Sequence, residues 1–187
     1  MATYFKLELT DSPERATHVV TMSIRRTPTI MSALCVTSNF LKPKWLEDSH
    51  KLKRLLPKSR KYLILEDSVS EKKFSFSLKR TLVEGKKIRQ GGRRLFSGLK
   101  IYISDGVAGN RAPNEEQLQM MINAAGGEWL VRGDIGNIQE LQFLIIITSN
   151  PALPSQVNDK NVSRAVENGA CIFTVTWLYE CMMQQKV

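Results

Sequence analysis

FLKPKWLEDS, residues 40–49, and IFTVTWLYEC, residues 172–181, share one pattern: an apolar pair, a Trp-Leu four residues later, and then an acidic residue. The two segments lie 132 positions apart. Each follows a short strand-like run that ends in polar residues, HVVTMS at 18–23 and IIITSN at 145–150. This recurrence indicates an internal repeat, which decides the fold before any single residue is considered.

A helical pattern links each strand-like run to its Trp segment, TPTIMSALCVTS at 27–38 and NVSRAVENGA at 161–170. Short apolar strands that alternate with helices are typical of a parallel sheet covered by helices. We therefore predict an α/β fold of two units. Trp45 and Trp177 come near the start of the last helix of each unit, and we predict that both pack in the core.

The second unit also has an opening strand at 98–104, a helix at 114–127 and a further strand at 128–131. The first unit has less room, because only 17 residues precede His18. One strand, predicted at 4–10, fits there. We expect the first unit to lack the opening strand and helix of the second.

The chain has 27 Lys and Arg against 18 Asp and Glu, a net charge of +9, which favours anionic partners. Much of the positive charge lies in two runs, at 51–62 and 84–96. We interpret the runs as solvated loops, the second as a mobile connector around Gly91–Gly92, with nucleic-acid binding as the alternative. Few aromatic residues lie near them, which argues against a dedicated single-strand platform.

Nothing in the sequence indicates an enzyme. His18 and His50 have no Cys or Ser partner at a recognisable spacing, and no GxGxxG, P-loop or HExxH motif occurs. Cys35, Cys171 and Cys181 form no CxxC pair, so we predict buried thiols with no disulfide framework and no zinc. We expect no cofactor.

The longest apolar run, LQFLIIIT at 141–148, is far shorter than the ~20 residues that span a bilayer. The first ten residues lack the features of a secretory signal. We expect an intracellular protein without a membrane partner.

Five segments together resemble the tandem BRCT repeats of DNA-damage-response scaffolds. They are ATHVVTMSIRRTPTIMSALC (16–35), FLKPKWLEDS (40–49), EKKFSFSLKRTL (71–82), LFSGLKIYIS (95–104) and NAAGGEWL (123–130). The resemblance implies two repeats, each a small parallel sheet flanked by helices, joined by a linker helix. It divides the chain into a first repeat at 1–66, without its first strand and helix, a linker at 67–97 and a second repeat at 98–187.

The same resemblance implies a phosphoserine-peptide reader whose ligand lies between the repeats. Arg26 matches the arginine that, in such readers, holds the backbone or terminal carboxylate three residues after the phosphoserine, and a planar guanidinium suits that task. Arg25, its neighbour, is either a second contact or a solvated residue. Thr27 belongs to the same run. Thr29 falls where the family has a phosphate-binding lysine and offers a hydroxyl without charge.

The family builds one wall of its peptide pocket from positions that match Met31 and the NRAP segment at 110–113, which includes Arg111. Met31 has an equally good interpretation as a core residue beside Leu34. Packing of the two repeats is expected to bury Met31 and Leu34 against the linker residues Phe74, Phe76 and Leu78.

The implied partner is a phosphorylated protein tail, such as that of a phosphorylated histone, and weak contact with DNA is also expected. We further expect a monomeric protein in the nucleus. Two alternatives remain open: a docking module that does not depend on phosphorylation, and non-specific nucleic-acid binding through the basic runs.

Overall fold

The computed structural model describes residue 5 and residues 7–187. The first half of this described chain contains two short strands and four α-helices. In order they are β1 (Val19–Val20), α1 (Pro28–Val36), β2 (Phe40–Leu41), α2 (Lys44–Lys51), α3 (Ser68–Phe74) and α4 (Leu78–Gln90). A short 3-10 helix, Pro13–Arg15, precedes them.

The second half contains four strands and four α-helices. They are β3 (Lys100–Ile103), α5 (Glu115–Ala124), β4 (Glu128–Leu130), β5 (Leu144–Thr148), α6 (Pro154–Val157), α7 (Lys160–Glu167), β6 (Cys171–Thr174) and α8 (Val175–Gln184). Short 3-10 helices lie at Arg132–Asn137 and Leu141–Phe143. Among the described residues, no helix is long and apolar enough to cross a membrane.

The strands form two separate parallel sheets. The second sheet has the order β4-β3-β5-β6, and every residue of β5 is buried. The first sheet pairs β1 with β2, so that Val19 lies opposite Phe40 and Val20 opposite Leu41. Helices cover parallel sheets because such strands are apolar on both faces. The predicted α/β fold of two small parallel sheets with a helical linker is confirmed.

Both tryptophans of the repeated pattern pack in the core, as predicted. Trp45 is 2% exposed, and its indole N–H donates to the carbonyl of Leu56 at 2.9 Å. Trp177 is half-buried and stacks on Phe96 and Phe173, with ring centres 5.6 and 4.6 Å apart. Each indole thereby fixes the last helix of its unit to the sheet it covers.

Helix α1 joins the two halves of the molecule. It packs against α5 and α8 of the second half and against α4 of the linker. A single apolar cluster runs through this seam and includes Met31, Leu34, Leu78, Leu118, Leu178 and Met182, with Phe74 and Phe76 packed against it. The predicted burial of α1 against the second repeat and the linker is confirmed.

Three local expectations are wrong. Residues 7–10 form no strand, and positions 4 and 6 of the predicted strand lie outside the described residues. The linker is two helices instead of one, because Ser75 adopts a left-handed conformation with φ of 54° at the end of α3. The Ser77 hydroxyl then accepts from the N–H of Arg80 and begins α4. Cys171 is exposed.

The second basic run is not a loop along its whole length. Its first part, up to Gln90, continues α4. Arg89 is half-buried and fixes the end of α1: its guanidinium donates to the carbonyls of Leu34 at 3.4 Å and Cys35 at 3.3 Å, and to the Ser38 hydroxyl. A cation at the end of a helix satisfies carbonyls that have no partner within the helix.

Gly126 provides a test of the turn between α5 and β4. Its φ of 82° is left-handed, which costs a residue with a side chain ~1–2 kcal/mol, and a Cβ there would lie 2.5 Å from the Cβ of Arg94. We expect Gly126→Ala to lower the free energy of unfolding by about 2 kcal/mol in urea denaturation. Gly91→Ala is the control, because Gly91 has φ of −78° and its Cβ would meet no atom closer than 3.4 Å. Equal unfolding midpoints for the two variants would contradict this account.

Candidate functional site

Arg26 lies immediately before α1, at the junction of the two repeats. Its guanidinium carbon is 4.4 Å from the ring centre of Tyr179, on α8, and 5.5 Å from that of Phe74, on α3. Guanidinium groups pack on aromatic faces because they are planar, charged and weakly hydrated. Arg26 therefore faces the junction and is held by residues from both the second repeat and the linker.

Asp67 holds the segment that precedes α1. The Ile24 N–H donates to the Asp67 carboxylate at 2.8 Å, and the Ile24 side chain is fully buried. Asp67 also begins α3, accepting from the Ser70 N–H at 3.1 Å and the Ser70 hydroxyl at 2.9 Å. Burial acts to raise the pKa of the Asp67 carboxyl, but these three hydrogen bonds outweigh it and lower the pKa below its ordinary value. The backbone two residues before Arg26 is thus tied to the linker.

Positive charge gathers around the aromatic pair. The Lys73 ammonium lies 5.2 Å from the centre of the Phe74 ring, which Arg26 also contacts. Burial raises the pKa of the Tyr179 hydroxyl, against the opposing effect of Arg26, so this ring stays neutral. Within residues 7–187, Arg26 forms no ion pair with a carboxylate. The guanidinium is therefore available to an anion from outside the chain.

Arg25 and Thr27 flank Arg26 but face different surroundings. Arg25 is exposed, and its Nε lies 3.5 Å from the Ser23 hydroxyl. Thr27 begins α1, and its hydroxyl accepts from the N–H of Ile30 at 3.4 Å. Thr27 thus has a structural role as a helix cap, whatever it contacts in a complex.

Thr29 is exposed and lies on a different surface from Arg26. It lines a cavity of about 570 Å³, here called the edge cavity, to which Arg26 does not contribute. The other walls are formed by residues 7–10, 15–20, Pro13, Ala33, Trp45 and Leu46.

Met31 is completely buried in the seam cluster. It leaves no surface to a ligand, so its predicted place in a pocket wall is wrong and its core interpretation is right. Arg111 is exposed and has a left-handed backbone with φ of 56°. The next residue, Ala112, packs against the seam cluster, which places Arg111 at its rim.

A second cavity, of about 850 Å³, lies elsewhere. It opens between the linker and the C-terminal residues, where Ser75, Arg80 and Gln185 are among its walls, and Arg26 is not. Arg26 thus lines neither this cavity nor the edge cavity.

Two thiols are held in an unreactive state. Burial raises the pKa of Cys35 and of Cys181 to about 12, which leaves almost no thiolate at neutral pH. In the part of the chain that the structure describes, no three His, Cys, Asp or Glu side chains are grouped so that they could hold a metal ion.

Sequence reasoning missed Asp67, Phe74 and Tyr179 as parts of this site. The Asp67 carboxylate had a usable signal, because an Asp before a helical pattern is a common helix start. Phe74 and Tyr179 had none, since they meet at Arg26 only through the packing of α3 and α8.

Residues 94–187 match the family described as BRCT domain. That match covers half of the chain, and the chain belongs to the BRCT family. Members of this family are protein-interaction modules, and the resemblance inferred from the repeated Trp segments is confirmed.

Two relatives illustrate the match in sequence. PAX-interacting protein 1 of Bos taurus is 29% identical over 125 residues, which cover 67% of this chain and 12% of that protein. Mediator of DNA damage checkpoint protein 1 of Pan troglodytes is 34% identical over 122 residues, which cover 65% of this chain and 5% of that protein. The matched region thus spans only 5% to 12% of the length of these curated relatives.

Solved structures show the same fold. The BRCT5-BRCT6 domains of S. pombe Brc1 align with a TM-score of 0.77 at 16% identity, covering 100% of this chain and 86% of that one. Rtt107p, solved with phosphorylated histone H2A, aligns with a TM-score of 0.60 at 14% identity, covering 96% and 75%. The structural neighbours establish the tandem BRCT arrangement.

The role of Asp67 gives a prediction about acid stability. Because its folded-state pKa lies below the unfolded value of ~3.9, the carboxylate contributes stability that is complete above that value and is lost as the pH falls from it towards the folded pKa. We expect Asp67→Asn to lower the free energy of unfolding by ~1–2 kcal/mol at pH 7, and to weaken the loss of stability between pH 4 and 3.

Urea denaturation at pH 7, 4 and 3 measures both effects. Glu66→Gln is the matched control, since Glu66 is the exposed neighbouring carboxylate and forms none of these hydrogen bonds. If both variants lose stability to the same extent, the bonds of Asp67 do not hold the junction.

Proposed function

We propose that this chain is a phosphoserine-peptide-binding module of a DNA-damage-response scaffold, with its ligand at the junction of the repeats. The observation that carries the proposal is Arg26, a cation without a carboxylate partner in the described chain, held between Tyr179 of the second repeat and Phe74 of the linker. A ligand bound there contacts both halves of the molecule.

Arg26 is suited to a carboxylate by the way it is held. The Arg26 guanidinium lies over the rings of Tyr179 and Phe74, and a guanidinium packed on an aromatic face can still donate from the N–H groups at its edge. Two parallel N–H donors match the two oxygens of a carboxylate, the strongest common form of this ion pair. The partner group is the terminal carboxylate of a peptide, or an acidic side chain near its end.

The family relatives favour a phosphorylated partner. Rtt107p has been solved with phosphorylated histone H2A, and the sequence relatives include a protein named for the DNA damage checkpoint. The net charge of +9 favours an acidic tail of this kind. A nuclear location, a monomeric chain and a binding role without catalysis belong to the same proposal.

The phosphate group of the ligand would receive fewer contacts from charged side chains than its carboxylate receives from Arg26. Thr29, at the position of the family's phosphate-binding lysine, carries no charge and lines the edge cavity instead of the surface around Arg26. Arg25, Thr27 and Arg111 are the remaining candidates near the junction. Phosphorylation is therefore expected to strengthen binding, by less than the terminal carboxylate does.

Peptide titration tests this order. A serine-phosphorylated acidic peptide with a free C-terminus is expected to bind about three- to tenfold more tightly than its unphosphorylated form. Arg26→Ala should weaken both by about tenfold or more, and Arg26→Lys by less, since lysine keeps the charge but loses the paired donors. Arg25→Ala is the matched control, with an expected loss below about threefold.

A C-terminally amidated peptide separates the two contacts. If Arg26 holds the terminal carboxylate, amidation weakens binding to the wild type and leaves little further loss for Arg26→Ala. Equal affinity for phosphorylated and unphosphorylated peptides would exclude phosphoserine reading and leave phosphorylation-independent docking. Unchanged binding by Arg26→Ala would move the ligand away from the junction.

The loop after α2 favours a second candidate, non-specific nucleic-acid binding. Lys53, Arg54, Lys58 and Arg60 are exposed there, as is Lys51 at the end of α2, and none of the five forms an ion pair within the described chain. Only Lys61 in this loop is paired, with Asp48 at 3.4 Å. The loop thus presents free cations to a phosphate backbone.

Binding through this loop predicts a steep dependence on salt. The affinity for duplex DNA is measured by fluorescence anisotropy at several salt concentrations. A plot of the logarithm of affinity against the logarithm of salt concentration should have a slope of about −0.9 for each phosphate contact. Lys53→Glu with Arg54→Glu should reduce both affinity and slope and leave peptide binding unchanged. Lys86→Glu with Lys87→Glu, on α4, is the charge-matched control, and equal losses from the two pairs would show that only net charge matters.

A further inference from the structure

Within residues 7–187, one edge of the first sheet has no strand beside it. The N–H of Val19 donates to Asn39 at 2.9 Å and that of Thr21 to Leu41 at 3.0 Å, so these residues face β2. Successive residues of a strand point their backbone groups to opposite edges, so the N–H and carbonyl of Val20 face away from β2. Among the described residues, β2 is the only strand that pairs with β1.

The opposite edge of the same sheet is covered. The N–H of Ile64 donates to Phe40 and that of Lys42 to the carbonyl of Tyr62, each at 2.8 Å, and Leu63 forms an antiparallel bridge with Leu41. Proteins commonly cover or block free sheet edges, because open edges bind other strands. In the described part of the chain, the first sheet is covered beyond β2 and has no further strand beyond β1.

The second sheet identifies what fits beside β1. β5 and β6 correspond to β1 and β2, because each pair leads into a Trp-bearing helix, α8 or α2. In the second sheet the position next to β5 is taken by β3, which pairs with it in parallel from Lys100 to Ile103. The side chains of Ile101 and Ile103 are buried. The corresponding position in the first sheet therefore suits an extended, apolar segment parallel to β1.

The edge cavity lies at this position. Val19 and Val20 form its wall on the sheet side, and Ala33, Trp45 and Leu46 form its apolar base. Val20 is 38% exposed, and Leu9, on the opposite wall, is 84% exposed. Burial of such side chains under an added strand is favourable by ~25 cal/mol per Å² of apolar surface.

The charges around the edge cavity fit an uncharged strand. Glu8 and Arg15, which are the acidic and basic residues among its described walls, pair with each other at 2.9 Å. Burial and the nearby charge of Lys58 lower the pKa of His18, so its imidazole is neutral at pH 7. An anionic or cationic peptide finds no unpaired opposite charge in these walls.

We propose that the free edge of β1 binds an extended apolar segment of another protein, which adds as a parallel strand and fills the edge cavity. The backbone of Val20 supplies the donor and acceptor, and alternate side chains of the segment pack on the accessible side chains of Val20 and Leu46. This mode of recognition gives affinity through main-chain hydrogen bonds and selectivity through alternate side chains. It is independent of Arg26 and the junction.

A peptide with the sequence of β3 and its flanking residues is the probe. Ac-GLKIYISDG-NH2, the sequence of residues 98–106, is titrated against the full chain, with Trp fluorescence as the signal because Trp45 lines the cavity. Saturating peptide is expected to slow hydrogen exchange at the Val20 N–H about tenfold or more. A peptide with Asp in place of both β3 isoleucines, and one N-methylated at its Ile and Tyr residues, should each bind about tenfold more weakly.

Val20→Pro tests the contribution of the β1 backbone to peptide binding. Proline removes the edge N–H, whereas the bonds of Val19 and Thr21 to β2 remain, and proline is tolerated on edge strands. Val20→Pro should weaken binding of the β3 peptide about tenfold. Val20→Thr keeps the N–H, so its affinity for the peptide should lie within about threefold of that of the wild type. Phosphopeptide binding at Arg26 should be the same in both variants.

Four results would overturn the proposal. The first two are no binding of the β3 peptide to the full chain and equal binding of its N-methylated form. The third is protection of the Val20 N–H without peptide, which would show that residues 7–10 already occupy the edge. The fourth is sedimentation of a dimer that Val20→Pro dissociates, which would make a second copy the occupant. The N-methylated peptide keeps the test valid if Val20→Pro fails to fold.

Discussion

The structure depends on the burial of one short helix. Helix α1 has nine residues, and Met31, Ser32, Ala33, Leu34 and Cys35 are all buried in it. A helix of this length has little stability alone, and one this apolar needs cover on several sides. Helices α4, α5 and α8 supply that cover, and Arg89 and Gln185 contact its C-terminal end. The first repeat is therefore stable only as part of the tandem unit.

The same constraint positions the candidate site. Arg26 precedes α1 by one residue, and its two aromatic neighbours lie on α3 and α8. Any loosening of the seam separates those rings and releases the guanidinium from its fixed orientation. A ligand that contacts both Arg26 and the second repeat binds only the state in which the seam is packed. Binding and folding stability are therefore coupled by mass action. The affinity of this site is thus a property of both repeats and cannot be assigned to either one.

The parts of the fold that local patterns govern could be predicted from the sequence. The repeated Trp segments placed α2 and α8, and the helix predicted at 114–127 corresponds to α5, where Asn114 and Gln117 form a capping box. The parts that depend on distant contacts could not. Ser75 breaks the linker where the sequence suggested one helix, and Cys171 is exposed although β6 is apolar. Asp67 and Ile24 are 43 positions apart, and no local sequence pattern in either segment indicates their hydrogen bond.

The two sheets formed by the described residues differ in how their strands are covered. The second sheet has four strands, and its central strand β5 is fully buried. The first has two, yet Phe40 and Leu41 are fully buried, because Tyr62 and Ile64 cover them on one side and α1 brings the seam cluster to the other. The free energy that a longer sheet would provide comes here from contacts outside the sheet. Those contacts protect β2 and leave β1 exposed, so the remaining unpaired backbone lies on the one side where an added strand would meet apolar walls.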